Sequence, residues 1–175
     1  MDRHTDRVLE FLERSGPALY GLLTRLTLSE DVAEDLMQEL FIKLSKSNRL
    51  DKARSPEAYA RRCAINLAFD WRHRNQQAAL ALDAVREPAS NRISPVDELI
   101  GREQLQEVLA AIARLRGLSR EAFVLHHIEQ NSYEQIAKGL DKQPHQVRAL
   151  CAKAMTRLRT LLGASRRGAG RKGDA

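Results

Sequence analysis

The sequence predicts an all-α protein made of two small helical domains joined by a flexible linker, the second domain being a helix-turn-helix. Aromatic residues make up only 5% of the 175-residue chain, so Leu, Ala, Ile and Val supply the core, which favours helices over sheets. Strong helix starts occur at Ser55-Pro56 and Ser94-Pro95, where a capping side chain precedes a proline. Residues 76–93 lack sustained periodicity and separate the two helical regions.

The chain is expected to begin with two short helices. Residues 2–14 have the apolar spacing of a short amphipathic helix, and Gly16-Pro17 is expected to interrupt it. Pro17 is then well placed as the first residue of a new helix that runs to about Leu26, with four leucines on one face.

The third helix is strongly acidic on its polar faces. Ser29 is its expected cap, and from Glu30 to Leu40 there are five acidic residues and no cation. Its apolar positions recur at three- and four-residue spacing, and they are Ala33, Leu36, Leu40, Phe41 and Leu44. The acidic face is either a solubilising surface or a docking surface for a basic partner, and the residues alone leave both interpretations open.

The helix predicted from Ser55 to about Arg74 combines aromatic and cationic side chains. Tyr59 and Trp71 lie on its apolar face. Its polar side chains include Arg61, Arg72 and a row at four-residue spacing, Arg62, Asn66, Asp70 and Arg74. Rings that stack on bases, beside cations that follow phosphates, suit single-stranded nucleic acid. The alternative is a helix with core aromatics and surface ion pairs.

After the linker, the second domain is expected to contain four helices. The first follows Ser94-Pro95 and stops near Gly117, and the second starts at Ser119 and ends at Asn131. Ser132 and Gln135 form a capping box for the third helix, which ends at Leu140. After a turn over residues 141–143, the fourth helix runs over residues 144–162.

Positive charge is concentrated at the end of the chain. From Lys142 to Gly173 there are nine Lys or Arg residues and no acid, so the rest of the chain carries a net charge of −3. Two helices joined by a three-residue turn, the second of them cationic, indicate a helix-turn-helix on a DNA phosphate backbone. The alternative is a solvated helix followed by a disordered basic tail, which residues 164–175 are expected to form in either case.

Several other classes of protein find little support. Cys63 and Cys151 stand apart on apolar stripes and suit reduced core residues. His126 and His127 are adjacent, so a helix directs them about 100° apart and they cannot share one metal ion. Glycine-rich phosphate loops and catalytic triads are missing, so we expect no enzyme activity and no cofactor. No apolar run reaches membrane-spanning length and no leader opens the chain, so we expect a cytoplasmic protein without membrane insertion.

Separate stretches of the sequence together resemble one family. DVAEDLMQELFIKL, from Asp31 to Leu44, is similar to the acidic helix of bacterial RNA polymerase sigma factors, and AINLAFDWR, from Ala64 to Arg72, is similar to the helix that follows it. LSREAF and SYEQIA, which begin at Leu118 and Ser132, resemble the family's DNA-binding domain. The order of these motifs and the linker resemble the small extracytoplasmic-function type. The resemblance covers nearly the whole chain, about Pro17 to Leu162.

The resemblance implies a division of roles. Residues 1–75 correspond to sigma region 2, which binds core polymerase and opens the −10 element, and residues 94–163 correspond to region 4, which reads the −35 element. The acidic helix would dock on the beta-prime coiled coil through Asp35, Gln38 and Glu39. Region 4 would meet the beta flap, and an anti-sigma factor is a further expected partner.

The resemblance also implies two sets of DNA-binding residues. Single-stranded −10 DNA would meet Arg61, Arg62, Asn66, Asp70, Arg72 and Arg74. Duplex −35 DNA would meet His145, Gln146, Arg148, Ala149 and Lys153. Opening without ATP is plausible because capture of an unstacked base offsets a few kcal/mol of unpairing.

The chain departs from the family pattern at three positions of the helix-turn-helix. Asp141 stands where a turn glycine is usual, Gln146 replaces a Thr, and Leu150 replaces a basic residue, so the −35 sequence preferred is open. Two alternatives are kept. A stand-alone helix-turn-helix regulator would bind duplex DNA without polymerase, and an interaction scaffold with a basic tail would show no sequence-dependent binding.

Overall fold

The computed structural model describes residues 3–82 and 96–169, and every regular element in these ranges is a helix. The elements are α1 (Arg3–Thr27), α2 (Glu30–Ser45), α3 (Arg49–Lys52), α4 (Pro56–Leu82), α5 (Val96–Ala113), α6 (Gly117–Phe123), α7 (Tyr133–Leu140) and α8 (Pro144–Ala169). A π-helical turn, Val124–Ile128, continues α6. The all-α class is therefore confirmed. None of these described helices is long and apolar enough to cross a membrane.

Helix α1 is continuous through Pro17, so the predicted break at Gly16-Pro17 is wrong. Pro17 removes one helical hydrogen bond and would by itself favour a break. The buried positions nevertheless keep helical phase on both sides of it, with Val8 and Phe11 before the proline and Leu19 after it. Packing along this unbroken face offsets the lost bond.

The predicted start and core face of α2 are both confirmed. The Ser29 hydroxyl accepts a hydrogen bond from the Val32 amide at 3.3 Å, which satisfies one of the free donors at the helix start. Four of the five predicted apolar positions are buried, and Phe41 is half-buried. The short helix α3, which was not predicted, is tied to α1 because the His4 ring contacts the Asp51 carboxylate at 2.8 Å.

Helix α4 begins as predicted, with the Ser55 hydroxyl accepting from the Ala58 amide at 3.2 Å, but it extends to Leu82 rather than ending near Arg74. Residues 76–82 of the predicted linker are thus helical. Residues 83–95, including the predicted helix start at Ser94-Pro95, lie outside the described residues.

The helices of the second domain differ from the prediction mainly at their ends. Helix α5 stops at Ala113, and α6 starts at Gly117, whose positive φ of 60° suits glycine. The second predicted helix therefore starts two residues earlier than expected and widens into the π-helical turn. Helix α8 continues to residue 169, so residues 164–169 of the predicted tail are helical, and residues 170–175 lie outside the described residues.

Helix α4 connects the two halves of the molecule. It packs against α1 and α2 on one side and contacts α5 and α7 on another. The buried apolar residues of both halves form one continuous cluster. The two domains therefore meet along α4 in this structure.

Candidate functional site

The three residues predicted to bind core polymerase lie together on the outer side of α2. Asp35, Gln38 and Glu39 are all exposed, while Leu36 and Leu40 hold the opposite side in the core. Spacing of three and four residues places the three polar side chains on one face of the helix. The structure therefore leaves this acidic face open to solvent.

An apolar residue that the sequence analysis did not single out lies on the same face. Ile42 is 48% exposed and stands three residues after Glu39 and four after Gln38. Because single exposed apolar side chains are common, its position among polar neighbours matters more than its exposure. Its place off the buried stripe of α2 is the signal from which it could have been found. We name Asp35, Gln38, Glu39 and Ile42 the α2 face.

The polar row on α4 is divided between solvent and the second domain. Asp70 and Arg74 are exposed, whereas Arg62 and Asn66 are half-buried. Arg62 Nε donates to a Glu121 carboxylate oxygen at 2.8 Å. The Asn66 side-chain oxygen accepts from the Arg120 guanidinium at 3.1 Å. Two of the residues predicted to read the −10 element are thus engaged by α6.

Arg72 is not available to DNA in this arrangement, contrary to the prediction that it contacts the −10 element. Only 5% of its surface is exposed. Its guanidinium donates to the Leu26 carbonyl and to the Gln106 side-chain oxygen, the latter at 2.8 Å. Burial lowers the pKa of Arg72 to about 10. The side chain joins α4 to α1 and α5, a role that requires tertiary contacts and that no local pattern reveals.

The remaining predicted residues of α4 have mixed surroundings. Arg61 is half-buried and lines a cleft of about 360 Å³ with residues of α1 and with Glu129. Tyr59 and Trp71 are half-buried and pack against the core. The two interpretations of these aromatics therefore both retain a physical basis, because each ring has one packed and one accessible part.

Local hydrogen bonds set the geometry of the helix-turn-helix. The Ser132 hydroxyl accepts from the Gln135 amide at 3.2 Å and the Gln135 side chain accepts from the Ser132 amide at 2.9 Å, which confirms the capping box. Asp141 adopts the left-handed conformation, with φ 53° and ψ 49°. An aspartate tolerates this conformation better than most residues, so it can replace the turn glycine.

All five residues predicted to read the −35 element are exposed on the first part of α8. They are His145, Gln146, Arg148, Ala149 and Lys153. Val147, Cys151 and Ala154 point the other way and are buried. The Arg148 guanidinium lies 5.3 Å from the Tyr133 ring centroid, and His126 stacks on the same ring at 4.2 Å. These contacts orient Arg148 toward the start of α7.

A cationic cleft of about 680 Å³ adjoins the predicted −35 residues. Its lining joins the end of α5 and the start of α6 to α8, and it contains Arg114, Arg116, Ser119, Lys153, Thr156, Arg157 and Thr160 together with two apolar residues. No carboxylate lines it among the described residues. Lys153 also lines a second, smaller cleft with Gln146 and Ala149, so the two are continuous. The basic residues outside α8 were not predicted, because their sequence separation conceals their convergence.

Two family models match the chain, sigma-70 region 2 over residues 11–78 and sigma-70 region 4 over residues 105–158. The ferric citrate uptake sigma factor FecI of Escherichia coli K12 is 30% identical over 161 residues, which cover 86% of this chain and 92% of that protein. The RNA polymerase sigma factor CarQ of Myxococcus xanthus is 28% identical over 165 residues, covering 93% and 92% of the two chains.

One similar solved structure is the sigma factor RpoE in complex with the anti-sigma factor NepR from Bartonella quintana. It aligns with a TM-score of 0.47 and 24% sequence identity, covering 88% of this chain and 95% of that chain.

Proposed function

This chain belongs to the RNA polymerase sigma factors of the extracytoplasmic-function type, and from that premise we propose how its surfaces divide the work of starting transcription. It directs promoter-specific initiation by core RNA polymerase. A stand-alone helix-turn-helix regulator is not favoured, because a sigma region 2 precedes the DNA-binding domain. In the proposed role the chain is a non-catalytic subunit that acts with the polymerase in the cytoplasm.

Recognition of the −35 element is assigned to the exposed face at the start of α8. The observation that carries this assignment is the exposure of all five predicted residues on a helix whose partner helix begins with a complete capping box. The start of a recognition helix is the part that reaches base edges in the major groove. Arg148 is the expected guanine reader, since arginine can donate two hydrogen bonds to one guanine.

The cationic cleft beside α8 supports contact with phosphates. Lys153 connects it to the base-reading face, and Arg116 and Arg157 extend it along the helix. Phosphate contacts fix the register of a protein on the duplex without reading sequence. The cleft is therefore assigned to the backbone next to the −35 bases.

Capture of the −10 strand is assigned to α4. Asp70 and Arg74 are exposed there, and Arg62 and Asn66 continue the same row. Amide and carboxylate groups can bond to the edge of an unpaired base, while arginines pair with phosphates and stack. Arg61 lies beside this row. Arg72 positions α4 from within the domain.

Docking on core polymerase is assigned to the α2 face. Its two carboxylates provide steering and specificity toward a basic surface, such as the family's beta-prime coiled coil, and Ile42 provides apolar area to bury. Region 4 is assigned a second contact on the beta flap.

Reconstituted transcription tests this function. Core polymerase with and without the purified chain is given a genomic promoter library, and the 5′ ends of the transcripts are sequenced. Start sites that require the chain and share spaced −10 and −35 sequences are expected. Transcripts that are the same without the chain would contradict the proposal, as would tight duplex binding by a chain that fails to co-elute with core polymerase.

A further inference from the structure

The surface of α4 that carries Arg62 and Asn66 is covered by α6. Glu121 is 5% exposed and pairs with Arg62, and Arg120 reaches Asn66. The Arg120 guanidinium also lies 4.9 Å from the centroid of the Phe69 ring. Consecutive residues of α6 thus hold three positions along one face of α4.

Further contacts between the domains lie on either side of this one. Arg25 of α1 pairs with Glu129, just after the π-helical turn, and Arg54 pairs with Asp141 in the turn of the helix-turn-helix. The Arg102 guanidinium donates to the Leu28 carbonyl at 3.1 Å. Single ion pairs at an exposed surface contribute little. Here they surround a buried pair and fix one relative orientation.

The closest approach between the domains occurs at Gly139 of α7. A Cβ atom placed there would lie 3.1 Å from the Cβ of Ala58, in the first turn of α4. Glycine at this position lets α7 approach α4 more closely than any larger side chain would allow. The approach is specific to this arrangement of the two domains.

The contact is nevertheless made chiefly of polar groups, which is typical of interfaces that open. Burial raises the pKa of Glu121, and desolvation lowers the pKa of Arg120. Among the described residues, one carboxylate oxygen of Glu121 has no hydrogen-bond partner. Both charges would be better solvated apart, so the closed contact is held with a substantial opposing term.

We propose that the free chain is autoinhibited: α6 and α7 occupy the surface of α4 that takes the −10 strand, so that the second domain and single-stranded DNA compete for one site. The identity of the competitor rests on the function proposed above, whereas the closed contact itself rests on the geometry. Opening releases Arg62 and Asn66 to DNA. The apparent affinity for the −10 strand is therefore reduced by the fraction of chains that are open.

A reversible cross-link tests the closed state. Ala58→Cys with Gly139→Cys places two thiols at a separation that a disulfide can span after a shift of a few tenths of an ångström. Oxidised glutathione accepts the two electrons. Ala58→Cys with Lys138→Cys is the matched control, because Lys138 is exposed and directed about 100° away around α7. The native Cys63 and Cys151 are buried in both variants.

The closed state predicts that the Gly139→Cys pair cross-links faster than the control pair in the free chain. The cross-linked chain should lose run-off transcription with core polymerase, and dithiothreitol should restore it. Equal cross-linking rates, or full transcription by the cross-linked chain, would overturn the proposal. Rapid cross-linking of a chain that drives no transcription even when reduced would instead refute the sigma function and leave the closed contact standing.

A charge reversal tests the competition without a cross-link. Glu121→Lys places two cations together and should slow the cross-linking of the cysteine pair about 30-fold, the loss typical of a broken buried pair. It should also tighten binding of the core-bound chain to a pool of random single-stranded oligonucleotides. Glu107→Lys, an equal charge change at an exposed position of α5, should alter neither. Equal behaviour of the two variants, with unchanged circular dichroism, would overturn the proposal.

Discussion

Reversing the charge of the α2 face should weaken binding to core polymerase without disturbing the fold. The variant is Asp35→Lys with Glu39→Lys. Both residues are exposed, so neither contributes to the core. They stand four residues apart, and the double reversal exchanges one like-charge pair for another, which leaves the electrostatics within the helix nearly unchanged.

The expected magnitude follows from exposure and charge. An exposed ion pair contributes roughly 0.2–1 kcal/mol, and a reversal exchanges attraction for repulsion of similar size, so the two changes cost about 2 kcal/mol, or about 30-fold in Kd. Ile42 is 48% exposed, so docking can bury about half of its side chain. Full burial contributes about 1.5–3 kcal/mol, so Ile42→Ala should cost about 1 kcal/mol, or about fivefold.

Fluorescence titration of labelled chain with core polymerase, at low and high salt, measures both effects. The matched control is Glu10→Lys with Glu13→Lys, which makes the same change in net charge at exposed positions of α1. The charge-reversal loss should shrink at high salt because exposed charges are screened, whereas the Ile42→Ala loss should persist.

Equal weakening by the α1 control variant would show that net charge alone governs binding, and the α2 face would then have no special role. An unchanged Kd for the α2 variant, with native circular dichroism, would move the docking site elsewhere. A loss that does not respond to salt would contradict the electrostatic account.

Three further predictions concern DNA and pH. Arg148→Ala should cost about 1–3 kcal/mol and relax one position of the −35 preference, measured by selection from a randomised promoter library. A uniform loss across sequences would make it a phosphate contact instead. Replacing Arg116 and Arg157 with Ala should leave that preference intact and lower the slope of log K against log salt by about 2, measured by titration of holoenzyme with duplex promoter DNA. An unchanged slope would remove the cleft from the DNA interface. The hydrogen bond to Asp51 and the backbone carbonyl raise the pKa of His4 above 6.5. Its stabilisation should therefore be complete below about pH 6.5 and be lost as pH rises through the raised value. Urea unfolding of the wild type and of His4→Gln across this range should show the difference shrinking with pH, and a constant difference would contradict this.

Local signals account for the parts of the structure that the sequence predicted well. Ser29 and Ser132 cap their helices through bonds to residues three positions away, and Asp141 takes the left-handed turn within the same short segment. The exposed residues of α2 and α8 follow from helical spacing, since the opposite faces carry the apolar stripe. Each of these features depends on a few neighbouring residues, and such features can be read without the fold.

The features that were missed depend on contacts between distant residues. Pro17 was predicted to end a helix, but the phase of the apolar positions around it continues across the proline, and packing on α2 and α4 decides the outcome. Arg72 belongs to a cationic helix by sequence, and only the fold shows that it reaches the Leu26 carbonyl and Gln106. The pairing of Arg62 with Glu121 spans 59 positions and has no local signal.

The charges at the contact between α4 and α6 decide which partner can open it. Each side presents one cation and one anion or acceptor, with Arg62 facing Glu121 and Arg120 facing Asn66 near Asp70. A phosphate strand can pair with either arginine but repels both carboxylates, so DNA alone gains only part of what closure provides. Core polymerase acts differently, because binding the α2 face and the second domain at separate places removes the proximity that favours closure. The −10 surface should therefore become accessible when the chain joins the polymerase, rather than on encounter with free DNA.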